Sequence, residues 1–197
     1  MKTALLVVDI VNSCCSEKCE IPEWNIHFSK IRKMVRNLVT FISEYKKQGG
    51  YVIYINCVPW QEKNLPDNIV KLYKNPDCCY YTKDKTGFAE EFYQVKPEED
   101  TVITKNSYDA FSNPELDKIL KQKGIRDLII TGVFGEGCVN ATINGAFSKG
   151  YNVTMIKNLI ETRDNEKSQM LLTLLKENNW PYLFGAVVDS EKFLFFS

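Results

Sequence analysis

The chain has 197 residues, 44% hydrophobic and 25% charged, which suits one ordinary globular domain with a sizeable core. Lysine plus arginine number 25, as do aspartate plus glutamate, and this balance argues against a nucleic-acid or anionic-membrane partner. No apolar run approaches the roughly 18–20 residues of a membrane-spanning helix, and Met1-Lys2-Thr3 leads straight into a predicted strand with no room for a signal peptide, so a cytoplasmic location is expected.

Residues 3–9, TALLVVD, are a nearly continuous apolar run ending in Asp9, the pattern of a parallel strand buried on both faces. A helix is expected from about Trp24 to Lys47, where Ile31, Met34, Val35, Leu38, Phe41, Ile42 and Tyr45 recur at spacings of three and four and Gly49-Gly50 stops the pattern. Residues 51–55, YVIYI, form the second strand. From Asn56 to Asp100 the chain holds Pro59, Pro66, Pro76 and Pro97 and many aromatics, and reads as a long loop with short helices around 67–73 and 88–93. Residues 101–104, TVIT, make a third strand followed at once by Lys105. Asn113-Pro114-Glu115 is a helix start, with a capping residue, then proline, then an acid, and Leu116, Ile119 and Leu120 supply its buried stripe.

Residues 127–131 are a fourth strand, followed by the tight segment Gly132-Val133-Phe134-Gly135-Glu136-Gly137, then Cys138 and a small-residue helix ending at Gly150. Residues 151–156 form a fifth strand; Asp164 or Asn165 caps a helix that Trp180-Pro181 closes, and 182–184 read as a sixth strand. The apolar tail FLFF, 193–196, packs on the domain or against another subunit.

Alternating strands and helices without a linker or repeat imply one domain, residues 1–197. Its architecture is a three-layer α/β sandwich, a mostly parallel, Rossmann-like sheet of about six strands with helices on both faces. Ligands of such folds bind outside the carboxyl ends of the strands, and Asp9, Lys105 and Cys138 all fall at or just beyond such ends.

Seven cysteines, an odd number without a secretion signal, argue against a disulfide framework. Cys14, Cys15 and Cys19 lie close together and Cys78-Cys79 form a pair, but no CxxC pair has the partners a zinc site needs. Cys138, where a strand turns into a helix, is the nucleophile candidate, because the unpaired N–H groups there favour thiolate and can hold an oxyanion. A thiol nucleophile needs a base, and the only histidine, His27, lies far from any strand end. Asp9 is then the candidate base, and burial would raise its pKa. Lys105 lowers that of Cys138 and holds the carboxylate.

The sequence resembles the isochorismatase-like cysteine hydrolases, which include nicotinamidases and several carbamoyl and ureido amidohydrolases. The resemblance is carried by ALLVVDIVNS (4–13), TVITKNSYDAFSNPELDKIL (101–120), LIITGVFGEGCVNATINGAFSKGYNV (128–153) and the placement of Gly87, and so spans nearly the whole chain. It implies Asp9 as general base, Lys105 as its electrostatic partner, Cys138 as nucleophile, a cis peptide between Val133 and Phe134, and an oxyanion hole made by the N–H groups of Phe134 and Cys138. It also implies hydrolysis of a small amide, carbamoyl or ureido carbon–nitrogen bond through a thioester. Trp60, Tyr108, Phe111 and Val133 are candidate pocket residues.

Nicotinamidases place an acid and several histidines after the second strand to bind a metal; this chain reads INCVPWQEKNLP there, so neither a metal nor another cofactor is expected. The members that hydrolyse isochorismate lack the nucleophilic cysteine, so Cys138 argues against that reaction. Partner subunits often complete the pocket in this family, and a homo-oligomer, dimer or tetramer, acting on a small molecule is expected. The competing readings are a nicotinamidase-type deamidase with an incomplete metal site and a non-catalytic binding or thiol-switch protein on the same fold.

Overall fold

In a computed structural model of the protein, residues 2–73 and 84–195 are described. The elements in chain order begin with β1 (Lys2–Val8), α1 (Asn12–Cys15), α2 (Ser29–Lys47), β2 (Tyr51–Cys57), α3 (Asp67–Tyr73) and β3 (Thr101–Lys105). There follow α4 (Pro114–Gln122), β4 (Ile125–Gly132), α5 (Asn140–Ser148), β5 (Asn152–Ile160), α6 (Glu166–Leu174), α7 (Trp180–Leu183), β6 (Gly185–Val188) and α8 (Ser190–Phe195). The strands form one six-stranded sheet in the order β3-β2-β1-β4-β5-β6, and every pairing is parallel.

The continuous apolar reading of β1 has a direct cause. From Ala4 to Val8 every side chain is buried, because alternate residues enter two different cores. Ala4, Leu6 and Val8 meet Leu116 and Leu120 of α4, Ile143 and Ala146 of α5, and Trp180. Leu5 and Val7 meet the α2 stripe on the opposite face, which Phe193 of α8 joins. That stripe buries seven residues, each contributing about 1.5–3 kcal/mol for an aliphatic side chain. Packing rather than intrinsic propensity therefore holds α2 in place. Among the described residues no helix is long and apolar enough to cross a membrane.

Several expected boundaries move. The first long helix begins at Ser29 rather than Trp24, because Pro22–Trp24 forms a separate short turn and Asn25 breaks the path with a left-handed φ of 54°. The N-terminal N–H groups of Ser29 and Lys30 are capped by Asp164, at 2.9 and 3.0 Å. Asp164 is thus spent on α2, and Asn165 caps α6 through Ser168 N. Trp180-Pro181 does not close the last helical region. The chain widens over Leu175–Asn179 and continues as α7, where proline in the first turn has no N–H to lose. The last strand consequently starts at Gly185, not at 182. β5 extends past 156 to Ile160, which pairs with Gly132 after a register shift. Around 88–93 only Phe88–Glu90 is helical; Phe92 bridges Val11 instead. Cys78 and Cys79 lie outside the described residues.

Candidate active site

The strand order reverses between β1 and β4, and Asp9 and Cys138 follow the two strands that flank that point. Asp9 follows β1 with a left-handed φ of 52°, a conformation that costs a non-glycine residue about 1–3 kcal/mol and clusters at functional sites. Its N–H donates to Ile55 O at 3.0 Å, tying the turn to β2. Lys105 ends β3, and its register partner is Cys57, which ends β2. Parallel partners project to the same face, so these two side chains stand together beside Asp9.

Cys138 arrives from β4. At Gly132, φ is 119° and a Cβ would stand 2.1 Å from Val8 O, so only glycine lets β4 close up on β1 here. The Val133–Phe134 peptide is cis. Gly135 N donates to Glu161 O at 2.9 Å, while Gly137 N and Val139 N donate to Phe134 O at 2.9 and 3.2 Å. Glu136 pairs with Arg163 Nη2 at 3.0 Å, and the Arg163 guanidinium lies 5.4 Å from the Phe134 ring centre. The loop from 134 to 138 is therefore held on both sides before it enters α5.

The geometry converges on Lys105 Nζ. It lies 2.9 Å from Asp9 Oδ2, 2.9 Å from Ser107 O, 3.1 Å from Cys57 Sγ and 3.4 Å from Cys138 Sγ. Cys57 Sγ also donates to Asp9 Oδ1 at 3.5 Å. The Asp9 and Lys105 side chains are 2% and 0% exposed, whereas Cys57 and Cys138 are partly exposed. The two charges are buried, and both thiols pack against the Lys105 ammonium.

Burial opposes the charge on Lys105, but Asp9 above all outweighs it and keeps the ammonium charged well beyond the usual lysine range. Burial pushes the Cys138 thiol well above the ordinary cysteine range; Lys105 opposes the rise and Asp9 adds to it. This corrects the expectation of an acidified cysteine. Desolvation outweighs Lys105, so Cys138 rests as a thiol hydrogen-bonded to Asp9.

Sequence reasoning missed Cys57. It ends β2 as Lys105 ends β3. Trp60 and Tyr108 follow β2 and β3 with ring centres 6.0 Å apart. Phe111 and Val133 lie in the two cores. Phe111 is 6% exposed, stacked on Tyr151 in the core beside α4, and Val133 is fully buried in the core beneath α2. His27 pairs with Glu20 at 3.0 Å. After β2 the segment from Cys57 to Leu65 has no histidine, and its acid, Glu62, is exposed. Among the described residues no group of three or more His, Cys, Asp or Glu is disposed to hold a metal ion.

Fold and site together define a doubly wound parallel α/β protein with a buried acid–lysine pair and a cysteine beyond the carboxyl ends of β1, β3 and β4. Comparison with known sequences narrows this class. The Isochorismatase domain model matches residues 3–192, and the chain belongs to the isochorismatase family of hydrolases. It is 25% identical over 171 residues to the ureidoacrylate amidohydrolase RutB of Variovorax paradoxus, covering 79% of this chain and 67% of that protein. Its fold is that of an isochorismatase-like hydrolase from Alkaliphilus metalliredigens (TM-score 0.77, 18% identity, 98% of each chain). It is also that of N-carbamoylsarcosine amidase from Thermoplasma acidophilum (TM-score 0.69, 22% identity, 97% of this chain and 98% of the other).

Proposed function

We propose that the protein is a cysteine-dependent, metal-independent hydrolase of a small amide, carbamoyl or ureido carbon–nitrogen bond. The observation that carries this reading is one ammonium, Lys105 Nζ, lying 2.9 Å from Asp9 and 3.4 Å from Cys138. The amidohydrolase and amidase it resembles support an amide-like bond as the target.

Asp9 removes the thiol proton as Cys138 Sγ attacks the carbonyl carbon, and the N–H groups of Phe134 and Cys138 hold the tetrahedral oxyanion. Asp9 returns the proton to the leaving nitrogen, and ammonia or an amine departs to leave a thioester. Water then attacks the thioester and gives its proton to Asp9, and the acid product leaves with Cys138 restored as a thiol. Lys105 holds the Asp9 carboxylate in place between these transfers, and Trp60 and Tyr108 flank the substrate. The test is ammonia release from a panel of small amides, carbamoyl and ureido compounds by the wild type, Cys138→Ala and Asp9→Asn. No release from any compound, or full activity in Cys138→Ala, sinks the reading.

Self-association is part of the same proposal. Met170, Leu171, Leu174, Tyr182 and Leu183 are exposed along α6 and α7, and a second copy of the chain is the partner we assign to this apolar face. A monomer by light scattering at working concentrations would rule this out.

A further inference from the structure

Lys105 carries three N–H donors, and the structure surrounds them with more acceptors than that. Asp9 Oδ2 and Ser107 O, each at 2.9 Å, take the two short bonds. Cys57 Sγ at 3.1 Å and Cys138 Sγ at 3.4 Å are left to share the third. The Cys57 hydrogen is directed at Asp9 Oδ1, 3.5 Å away. Cys57 makes and breaks no bond in the reaction above, yet it touches both charged groups that drive it. The parallel register that pairs it with Lys105 makes this contact a property of the sheet rather than of a loop.

We propose that Cys57 is a positioning residue: it holds Asp9 by Oδ1 and takes a share of the Lys105 ammonium that would otherwise be directed at Cys138. The proposal rests on the reading of Asp9, Lys105 and Cys138 as the reacting groups. The titratable groups acting on Cys138 are Asp9 beyond β1, Cys14 on α1, Cys57 at the end of β2 and Lys105 at the end of β3. Of these only Lys105 favours a thiolate. Removing the Cys57 thiol gives its share of Lys105 to Cys138, and this change eases proton loss from Cys138. A serine at position 57, which donates and accepts like the thiol, keeps the arrangement.

The test is iodoacetamide alkylation of Cys138, followed residue by residue by mass spectrometry in the full chain from about pH 6 to about pH 10, the range in which protein thiols titrate. In Cys57→Ala the profile is expected to move down by about one pH unit, so that alkylation at a fixed pH below the midpoint runs about tenfold faster. Cys57→Ser is expected to follow the wild type. Cys15, fully buried, reports folding, since its labelling would betray an opened structure. If alanine opens the fold, Cys57→Val, which fills the same space without polar atoms, must move the profile in the same direction. An unmoved or upward profile in the folded apolar variant overturns the proposal. So does an equal shift in Cys57→Ser, which would reduce Cys57 to packing. Failure of every amide to release ammonia would leave the alkylation shift intact and sink only the catalytic reading.

Discussion

The Asp9 carboxylate and the Lys105 ammonium meet at 2.9 Å with side chains 2% and 0% exposed. Such a pair adds little net stability, because desolvation offsets the attraction, but loss of one partner strands the other. Lys105→Met is therefore expected to lower the free energy of unfolding by about 3–5 kcal/mol and to abolish hydrolysis. Asp9→Asn in the same chain should restore much of the stability and none of the activity. Urea denaturation of the two single variants and the double variant measures this. Additive losses would mean that the two residues do not interact.

The buried thiols make stability fall in alkali. Burial is the largest cause that pushes up Cys14, Cys15, Cys57 and Cys138. In the unfolded chain a thiol loses its proton near about pH 8.5, whereas in the fold it keeps the proton to higher pH. A raised folded value contributes stability that is complete below the unfolded value and is lost as pH rises toward the folded one. The free energy of unfolding is thus expected to decline above about pH 8.5, by up to about 1.4 kcal/mol per pH unit for each thiol, and the melting temperature to fall with it. Cys15→Ser should flatten the slope. A melting temperature constant across that window would contradict the assignment.

The placement of Asp9, Lys105 and Cys138 at or just beyond strand ends was legible because the strands alternate with helices, and in β1 and β4 the apolar run buried on both faces announces a parallel strand. The five central runs and the two-sided layering were readable for the same cause. What escaped depends on contacts distant along the chain. The true start of α2 is set by Asp164, 135 residues away from Ser29, and no local pattern around Trp24 reveals it. Asn12 is anchored through Phe88 O, 76 residues on. Cys57 sat at a strand end like Lys105, but with valine, proline and tryptophan after it nothing marked its thiol as polar machinery. Phe111 and Val133 stand beside site residues in sequence while their side chains turn into the two cores, a direction that spacing alone does not disclose.

Arg163 is expected to hold the nucleophile loop. Its partner Glu136 is 10% exposed against 27% for Arg163 itself, and Glu136 Oε2 and Arg163 Nε are buried without a partner of their own. Arg163→Ala strands the Glu136 carboxylate and removes the guanidinium from the Phe134 ring, at a cost of about 3 kcal/mol, the lower end for a broken buried pair because Arg163 is partly exposed. Adding Glu136→Gln should recover part of that loss. Denaturation of both variants gives the energies. An unchanged stability in Arg163→Ala would show the pair to be loose.

Glu20 collects the Phe28 N–H at 2.9 Å, Arg32 Nη1 at 2.5 Å and His27 Nδ1 at 3.0 Å, and so ties the segment after α1 to the start of α2. Burial pulls its carboxyl up, but the Phe28 N–H, Arg32 and His27 together reverse this and hold it at about 2. A depressed folded value contributes stability that is complete above the unfolded value, near about 4.3 for glutamate, and is lost as pH falls toward the folded one. Glu20→Gln is therefore expected to cost about 1–3 kcal/mol at neutral pH, the usual range for hydrogen bonds to a charged group. The gap should close as the pH is lowered from about 4.3 toward about 2, where the wild-type carboxyl also takes up its proton. Thermal unfolding of both proteins across that range supplies the comparison, and a gap of constant size would show that the Glu20 charge does not account for the stability of this junction.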